Sequence, residues 1–329
     1  MKQTSDTPAN TARIVVSIIN YKTADLTIQC AESAIATLSE INGHVVIVDN
    51  FSDDGSVVKI SNWIEEQNLS EHVHLVQSPT NTGFSGGHNL GMQAIRSEYY
   101  LLLNSDAILQ PGFTQEILLR ASKEPKSGLF APRIDYDNGE QQISCFRFPS
   151  PTSEIIRGAE SGPLTRLLQR RRVALDMPPE PDQIEWASFA CILIRAEVID
   201  QVGLMDEGYF LYFEDVEFCW RARQAGWRIR YIQEARAVHF RGGSGPVKSL
   251  AKEKKRLPAY FYASRTRLFY QMYGTGGLLL ANLAWVFGRA IAVLRVLAGK
   301  KIPSSNEQEH RDLWTNFFSP LGDDYKPKT

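Results

Sequence analysis

The chain has 329 residues, with 36 Lys and Arg against 37 Asp and Glu, 23 Gly and 16 Pro. That composition excludes disordered, collagenous and histone-like classes, and an apolar content of 43% is enough for one large core or two modest ones. The net charge of −1 hides an asymmetry: residues 241–329 carry 15 basic and 6 acidic side chains, a net of +9, leaving 21 against 31, or −10, for residues 1–240. Cys30, Cys145, Cys191 and Cys219 form no C-x-x-C pair and no evident disulfide framework, which fits a reducing compartment. Residues 1–13 are polar and lack the apolar core of a secretory signal, so a cytoplasmic location is expected.

Short, nearly continuous apolar runs at 14–19, 45–48 and 99–103 predict parallel strands covered on both faces. Each stops at polar residues: Asn20, then Asp49 and Asn50, then Asn104, Ser105 and Asp106. Leu26, Cys30, Ala34 and Leu38, four residues apart, predict a crossover helix between the first two runs. Residues 73–76 predict another strand, and 86–96 a helix after a glycine-rich turn. This opening implies an α/β fold with a mostly parallel sheet flanked by helices, whose ligands bind beyond the carboxyl ends of the strands. Residues 135–181, with Pro149, Pro151, Pro163, Pro178 and Pro179, read as a long, mobile and irregular excursion. Beyond it come a strand at 186–195, a helix at 197–202, the aromatic run 209–213, a helix from 215 to 225 ended by Gly226, and an alternating strand at 227–232.

A lysine-rich run at 248–256 and an aromatic, basic helix at 258–273 come next. Residues 278–297 are then interrupted only by Asn282, Gly288, Arg289 and Arg295. That length could span a bilayer. Each central arginine, however, costs about 2.5–3.5 kcal/mol on insertion, and the three polar side chains fall within an arc of roughly 140° at about 100° per residue. A helix lying in the membrane surface, with Trp285 and Phe287 dipping inward, fits this better than a span; the alternative is a helix packed on the protein or on a second copy. The domains are accordingly a polar segment at 1–13, an α/β domain at 14–245 and a basic, amphipathic helical extension at 246–329. The basic residues do not interleave with aromatics on a sheet, so no nucleic-acid partner is expected, and nothing in the pattern specifies an oligomer.

Several side chains are suited to chemistry. Asp49, ending a strand, can accept hydrogen bonds from a base or ribose, though Asp is also an ordinary turn residue. The glycine-rich stretch 81–91 permits close backbone approach to a ligand and opens a helix whose N-terminus favours anions, but it is neither G-x-G-x-x-G nor a P-loop. Asp106 can bind a hard divalent cation together with phosphates or simply cap the next segment of chain, and His239 completes such a site if the fold brings it near. His72 and His74 share a strand face without a nearby carboxylate. Glu214 and Asp215 open a helix after an aromatic run, where they serve either as helix-dipole partners or as a general base whose proton affinity is raised by dehydration.

Taken in order, Ser17-Ile-Ile-Asn-Tyr21, Val48-Asp-Asn50, Asn81-Thr-Gly-Phe84 with Asn89, Leu102-Leu-Asn-Ser-Asp106, Phe210-Leu-Tyr-Phe-Glu-Asp215, Ala225-Gly-Trp227 and Val238-His239 with Gly242-Gly243 resemble the family 2 glycosyltransferases of the GT-A fold. The bacterial rhamnosyltransferase-like branch is the nearest likeness. The resemblance implies transfer of a sugar from a nucleotide diphosphate donor, with inversion and with Mg²⁺ or Mn²⁺. It assigns Asn20, Asp49, Asn50, Asn81, Gly83, Phe84, Asn89, Asn104 and Asp106 to nucleotide-sugar binding, Asp106 and His239 to the metal, and Asp215, with Glu214 beside it, to catalysis. Asn104 stands where the family's motif has its first acidic residue. The branch further implies L-rhamnose from dTDP-rhamnose as donor and a surface-glycan or lipid-linked saccharide as acceptor. Peripheral contact with the inner face of the cytoplasmic membrane is expected with it. A UDP-sugar donor and a non-catalytic nucleotide-sugar-binding protein are the alternatives.

Overall fold

The computed structural model describes residues 11–38, 41–240, 247–299, 301 and 303–322. The first ten residues of the polar segment, Gly242-Gly243 and the expected boundary at residue 245 lie outside the described residues. In chain order the elements begin with β1 (Ala12–Asn20), α1 (Ala24–Thr37), β2 (Gly43–Asp49), α2 (Ser56–Glu66), β3 (Val73–Gln77), α3 (Gly83–Ala94), β4 (Ser97–Asn104) and β5 (Ala107–Leu109). They continue with α4 (Phe113–Lys123), β6 (Ser127–Asp135), β7 (Cys145–Phe146), α5 (Pro151–Ala159), α6 (Gly162–Leu167), β8 (Trp186–Ala187), β9 (Cys191–Arg195) and α7 (Ala196–Val202). The last are α8 (Glu214–Gln224), β10 (Arg228–His239), α9 (Val247–Lys252), α10 (Ala259–Leu294) and α11 (Glu309–Asp312). The chain divides into two compact units, one of Met1–Ser144, Ser188–Met205 and Arg221–Ser244, the other of Cys145–Ala187, Asp206–Trp220 and Gly245–Thr329.

The first unit holds an eight-stranded sheet in the order β3-β2-β1-β4-β9-β6-β10-β5. β3, β2, β1 and β4 are parallel neighbours, as the nearly continuous apolar runs of β1, β2 and β4 predict, and β6 is parallel to β10. β9 runs antiparallel to β4 and β6, and β5 to β10. Val45, Val46, Ile47 and Val48 are completely buried, and α1 turns Cys30, Ala31 and Ala34 onto the sheet.

Three local expectations change. The run 186–195 is split, because β8 pairs with β7 in a separate two-stranded sheet while β9 joins the large one. β10 continues past residue 232 to His239 through a register shift between Ile232 and Arg236, where the polar Gln233-Glu234 interrupts the alternation. The glycines of α3 serve packing on the sheet: a Cβ on Gly87 would lie 2.7 Å from Ile19 Cδ1 and one on Gly91 2.1 Å from Ser17 Oγ. Beside them Ser17 Oγ meets His88 Nδ1 at 2.9 Å, and burial pushes the His88 imidazole down to about 3, so it is neutral.

In the second unit the proline-rich excursion contains helices. Pro151 and Pro163 stand in the first turns of α5 and α6, where a missing N–H costs nothing, and Ser150 and Ser153 form a reciprocal capping box at α5. α10 is interrupted by Gly274, at φ 68° and ψ −175°. Beyond that break it packs on α5 so closely that a Cβ on Gly158 would fall 2.3 Å from Trp285 O, and one on Gly288 2.4 Å from Ile155 O.

Buried charges hold the same pair of helices. Glu154 accepts from Arg265 at 2.8 Å and from Arg157 at 2.7 Å, and Arg157 also pairs with Glu309. Burial opposes the Glu154 charge, but the two arginines overcome it and hold its carboxyl at about 2. Asn282 accepts from Arg265 at 2.8 Å and donates to Leu313 O at 2.9 Å. Arg289 reaches Gly158 O at 3.4 Å and Pro303 O at 2.8 Å; Arg295 reaches Glu160 O at 3.0 Å. The arginines thus serve carbonyls at the end of α5 that have no helical partner.

The polar arc of residues 278–297 therefore faces protein, and the apolar face is the open one. Trp285 is buried in an aromatic cluster with Phe210, Tyr260 and Tyr262, correcting the expectation that it dips outward into lipid. Leu280 (57%), Leu283 (50%), Phe287 (58%) and Leu294 (62%) are exposed.

The backbone contact between α5 and α10 is testable with two glycine substitutions. Gly288→Ala is expected to lower stability by about 1–3 kcal/mol in urea unfolding, because the neighbouring atoms are backbone and cannot swing aside. Gly276→Ala, with nothing within 4 Å of the added Cβ, should raise it by up to about 1 kcal/mol.

Candidate active site

Register places the polar strand ends side by side. Asn20 on β1 pairs with Asp49 on β2, and Ile19 pairs with Asn104 on β4. Asp49 is 3% exposed, and its carboxylate is supplied with donors: Asn20 Nδ2 at 2.7 Å, Ser52 Oγ at 2.6 Å and Ser52 N at 3.1 Å. Thr27 Oγ1 donates to Asn20 Oδ1 at 2.9 Å, fixing the amide that faces Asp49. Asn50 fastens the end of β2 to the start of α3: its Oδ1 accepts from Thr82 N at 3.0 Å, and its Nδ2 donates to Gly83 O at 2.9 Å and Asn81 Oδ1 at 3.1 Å. Gly83 itself is left-handed at φ 69°, a conformation natural to glycine, and its N–H bonds Asn81 Oδ1 at 3.0 Å.

The group of Asn20 and Asp49 and the group of Asn50, Asn81 and Gly83 are joined into one network by the backbone bond from Asn50 N to Asn20 O at 2.9 Å. Phe84 and Asn89 stand apart from it. The Phe84 ring meets His88 edge-on at 4.5 Å, and Asn89 exchanges two 3.0 Å hydrogen bonds with the peptide of Met205, tying that loop to α3.

A second group forms where β5 turns back along β10. His239 pairs with Ala107, and Phe240 N donates to Asp106 O at 3.0 Å, so the backbone alone brings Asp106 and His239 together. Asp106 Oδ1 lies 3.1 Å from His239 Nε2, with the Asn104 amide 3.3 Å from the same nitrogen. Gln142 Nε2 donates to His239 O at 2.7 Å and to Asp135 O at 3.1 Å, which locks the end of β10. Two ligands at right angles on one cation, each about 2.1 Å away, stand about 3 Å apart, so the Asp106–His239 pair fits a divalent metal. Among the described residues no cluster of three or more His, Cys, Asp or Glu side chains surrounds one metal position. A cation on this pair would keep positions open for substrate oxygens.

Glu214 and Asp215 belong to the second unit. They come directly after Tyr212 and Phe213, both left-handed, at φ 73° and 72°. For bulky aromatics this is strained backbone, at about 1–3 kcal/mol each. Phe261 packs against both rings, at 5.6 Å and 5.2 Å between centroids, and holds the turn. The turn buries Glu214 to 6% exposure, with Oε2 lacking a hydrogen-bond partner among the described residues. Burial, and then the neighbouring Asp215 charge, raise the Glu214 carboxyl well above the ordinary range. Asp215 is less buried and accepts from Val216 N at 2.9 Å.

Sequence reasoning missed Ser52, whose hydroxyl and N–H both serve Asp49; its spacing three residues after the aspartate is a side-chain-to-backbone turn signal. It also missed Gln142, which carries no local signal.

The profile of Glycosyl transferase family 2 matches residues 14–202, more than half of the chain. The chain belongs to this family. Among its relatives, the low-salt glycan biosynthesis hexosyltransferase Agl10 of Haloferax volcanii is 27% identical over 68% of this chain and 66% of its own length. The N-acetylglucosaminyl-diphospho-decaprenol L-rhamnosyltransferase of Mycobacterium tuberculosis is 29% identical over 48% of this chain and 53% of its own length. The family 2 chain therefore spans about half to two thirds of these curated relatives. Its fold is shared with the mannosyltransferase PcManGT of Pyrobaculum calidifontis, solved with GDP-Man and Mn²⁺, at TM-score 0.54 and 14% identity over 95% of this chain and 86% of that one.

The raised proton affinity of Glu214 predicts a pH effect. Its proton affinity is higher folded than unfolded, where the pKa is about 4.3, so its favourable contribution is complete below that pH and declines as pH rises toward the folded value. Glu214→Gln is thus expected to gain stability over the parent protein in urea unfolding at pH 8 relative to pH 4. Parallel pH profiles for the two proteins would refute the raised proton affinity.

Proposed function

We propose that this family 2 protein transfers a glycosyl group from a nucleoside diphosphate sugar to a hydroxyl of a saccharide acceptor, with inversion at the anomeric carbon. The observation that carries the reading is the network of Asn20, Asp49, Asn50, Asn81 and Gly83 at the carboxyl ends of the parallel strands, in the same unit as the buried Asp106–His239 pair. Asp49, held by three donors, keeps acceptor capacity for a base or ribose N–H or O–H. Asp106 and His239 would hold Mg²⁺ or Mn²⁺, whose charge when bound neutralises the diphosphate; the Mn²⁺ in the PcManGT complex supports this.

Asp215 takes the proton of the acceptor hydroxyl while that oxygen bonds to the anomeric carbon from the face opposite the diphosphate. The bond from that carbon to the diphosphate oxygen breaks, and its electron pair leaves with the nucleoside diphosphate. No covalent enzyme intermediate forms. Burial and the Asp215 charge both disfavour a second negative charge on Glu214 beside the base. For the donor we favour dTDP-L-rhamnose, and for the acceptor a lipid-linked or surface saccharide. The rhamnosyltransferase-like motifs and the name of the mycobacterial relative support both choices.

A thermal-shift screen of nucleotide sugars with Mn²⁺ identifies the donor, since a ligand that binds only the folded protein raises its stability. Nucleoside diphosphate release is then expected to require acceptor and to fall roughly 10²- to 10⁴-fold in Asp215→Asn, with donor binding retained. Near-normal turnover of that variant removes Asp215 as the base, and donor binding without release under any acceptor favours the non-catalytic alternative.

The localisation we propose is the inner face of the cytoplasmic membrane. The open apolar face of α10 fits a lipid surface better than a second copy, because the segment that carries it, residues 241–329, has a net charge of +9 and would repel its own kind while attracting anionic lipid. α10 is long and apolar enough to cross a bilayer, but Asn282 and Arg289 within it, and Arg295 just after it, are bonded to protein. Leu283→Glu with Phe287→Glu is expected to abolish flotation with phosphatidylglycerol vesicles while the protein stays folded. Unchanged flotation defeats the proposal, as does a dimer that the same substitutions dissociate.

A further inference from the structure

Three of the six histidines gather at the amino end of β2 and β3, away from the residues of the nucleotide and metal sites. Register pairs Val45 with Val73 and Val46 with His74, so His44 on β2 stands level with His72, and all three imidazoles share one face of the sheet at its β3 edge. His44 Nδ1 lies 3.1 Å from His74 Nε2, with ring centroids 5.2 Å apart; the His72 ring is 6.1 Å from His44. His44 is five positions upstream of Asp49, roughly 16 Å along the strand at about 3.3 Å per residue. The cluster is therefore remote from the nucleotide network.

We propose that His44, His72 and His74 form a binding site for a borderline divalent cation, zinc above all. Two tetrahedral ligands about 2.0–2.1 Å from a zinc ion stand about 3.3 Å apart, close to the separation the His44 and His74 nitrogens already have. The third ligand is not yet turned in: the described side chains do not close on a common metal position, but His72 is exposed, so its ring can swing toward the pair without disturbing the core.

An all-nitrogen set sorts cations differently from Asp106 with His239. Imidazoles select zinc, cobalt and nickel, whereas a carboxylate shared with phosphate oxygens suits magnesium and manganese. The ion would join the edge strand β3 to β2, the strand that ends in Asp49, as a staple independent of transfer.

The test uses the untagged, metal-stripped full chain titrated with Zn²⁺ alone by calorimetry, with thermal unfolding as a second readout. The parent protein and Asp106→Asn are both expected to bind zinc at the histidine cluster and to melt higher with it. The double variant His44→Gln with His74→Gln should lose one equivalent and that melting shift, and Co²⁺ should give tetrahedral visible absorption in the parent protein and in Asp106→Asn but not in the double variant. Circular dichroism and nucleotide binding verify that the double variant is folded; should it not be, His72→Gln, at an exposed position, carries the same expectation. Equal zinc stoichiometry in parent and histidine variants, or no zinc uptake by Asp106→Asn, overturns the proposal.

Discussion

Parallel strands buried on both faces offer polar side chains access to a ligand only beyond their ends, and β1, β2 and β4 end on one line. The remaining features of the first unit depend on that alignment. Asp49 loses water at the end of β2, so Asn20 and Ser52 must supply it with donors, and Thr27 must in turn hold Asn20. The glycines of α3 let the helix approach β1, which keeps the Asn50–Gly83 tie short. The reversed pair β5 and β10 then adds what a parallel sheet cannot, a histidine from late in the chain set beside Asp106.

The second unit is organised differently. Its long helix turns arginines and an asparagine toward protein, where they satisfy carbonyls and a buried carboxylate, and leaves leucines outward. A helix of this polarity is amphipathic by pattern but inverted relative to an ordinary surface helix. Pattern alone finds the two faces without saying which is inside. That decision belongs to Glu154, Gly158 and the carbonyls at the end of α5, which lie more than a hundred residues away in sequence.

Much of the first unit is legible in the sequence because apolar runs that stop abruptly have few other readings. The strand ends carrying Asn20, Asp49 and Asn104 are where those runs indicate. Where pattern and structure part, the cause is identifiable. Pro151 and Pro163 suggest an irregular segment, yet the first turn of a helix accepts proline. The run at 186–195 looks uniform, but its two ends pair in different sheets. Gly87 and Gly91 suggest space for a ligand, and the space is filled by Ile19 and Ser17. Gln142 and the Phe261 wall against Tyr212 and Phe213 depend on contacts between distant segments, which no local pattern encodes.

The left-handed turn at Tyr212 and Phe213 depends on Phe261, a residue of the C-terminal helix. The second unit is built from three separate stretches of chain, so the acidic pair and the helix that braces its approach are inherited as one assembly although they are discontinuous in the gene. A chimera made by exchanging only the tail would replace the brace while leaving the strained turn behind. An exchange between relatives that keeps the turn with its brace moves 145–187, 206–220 and 245–329 together.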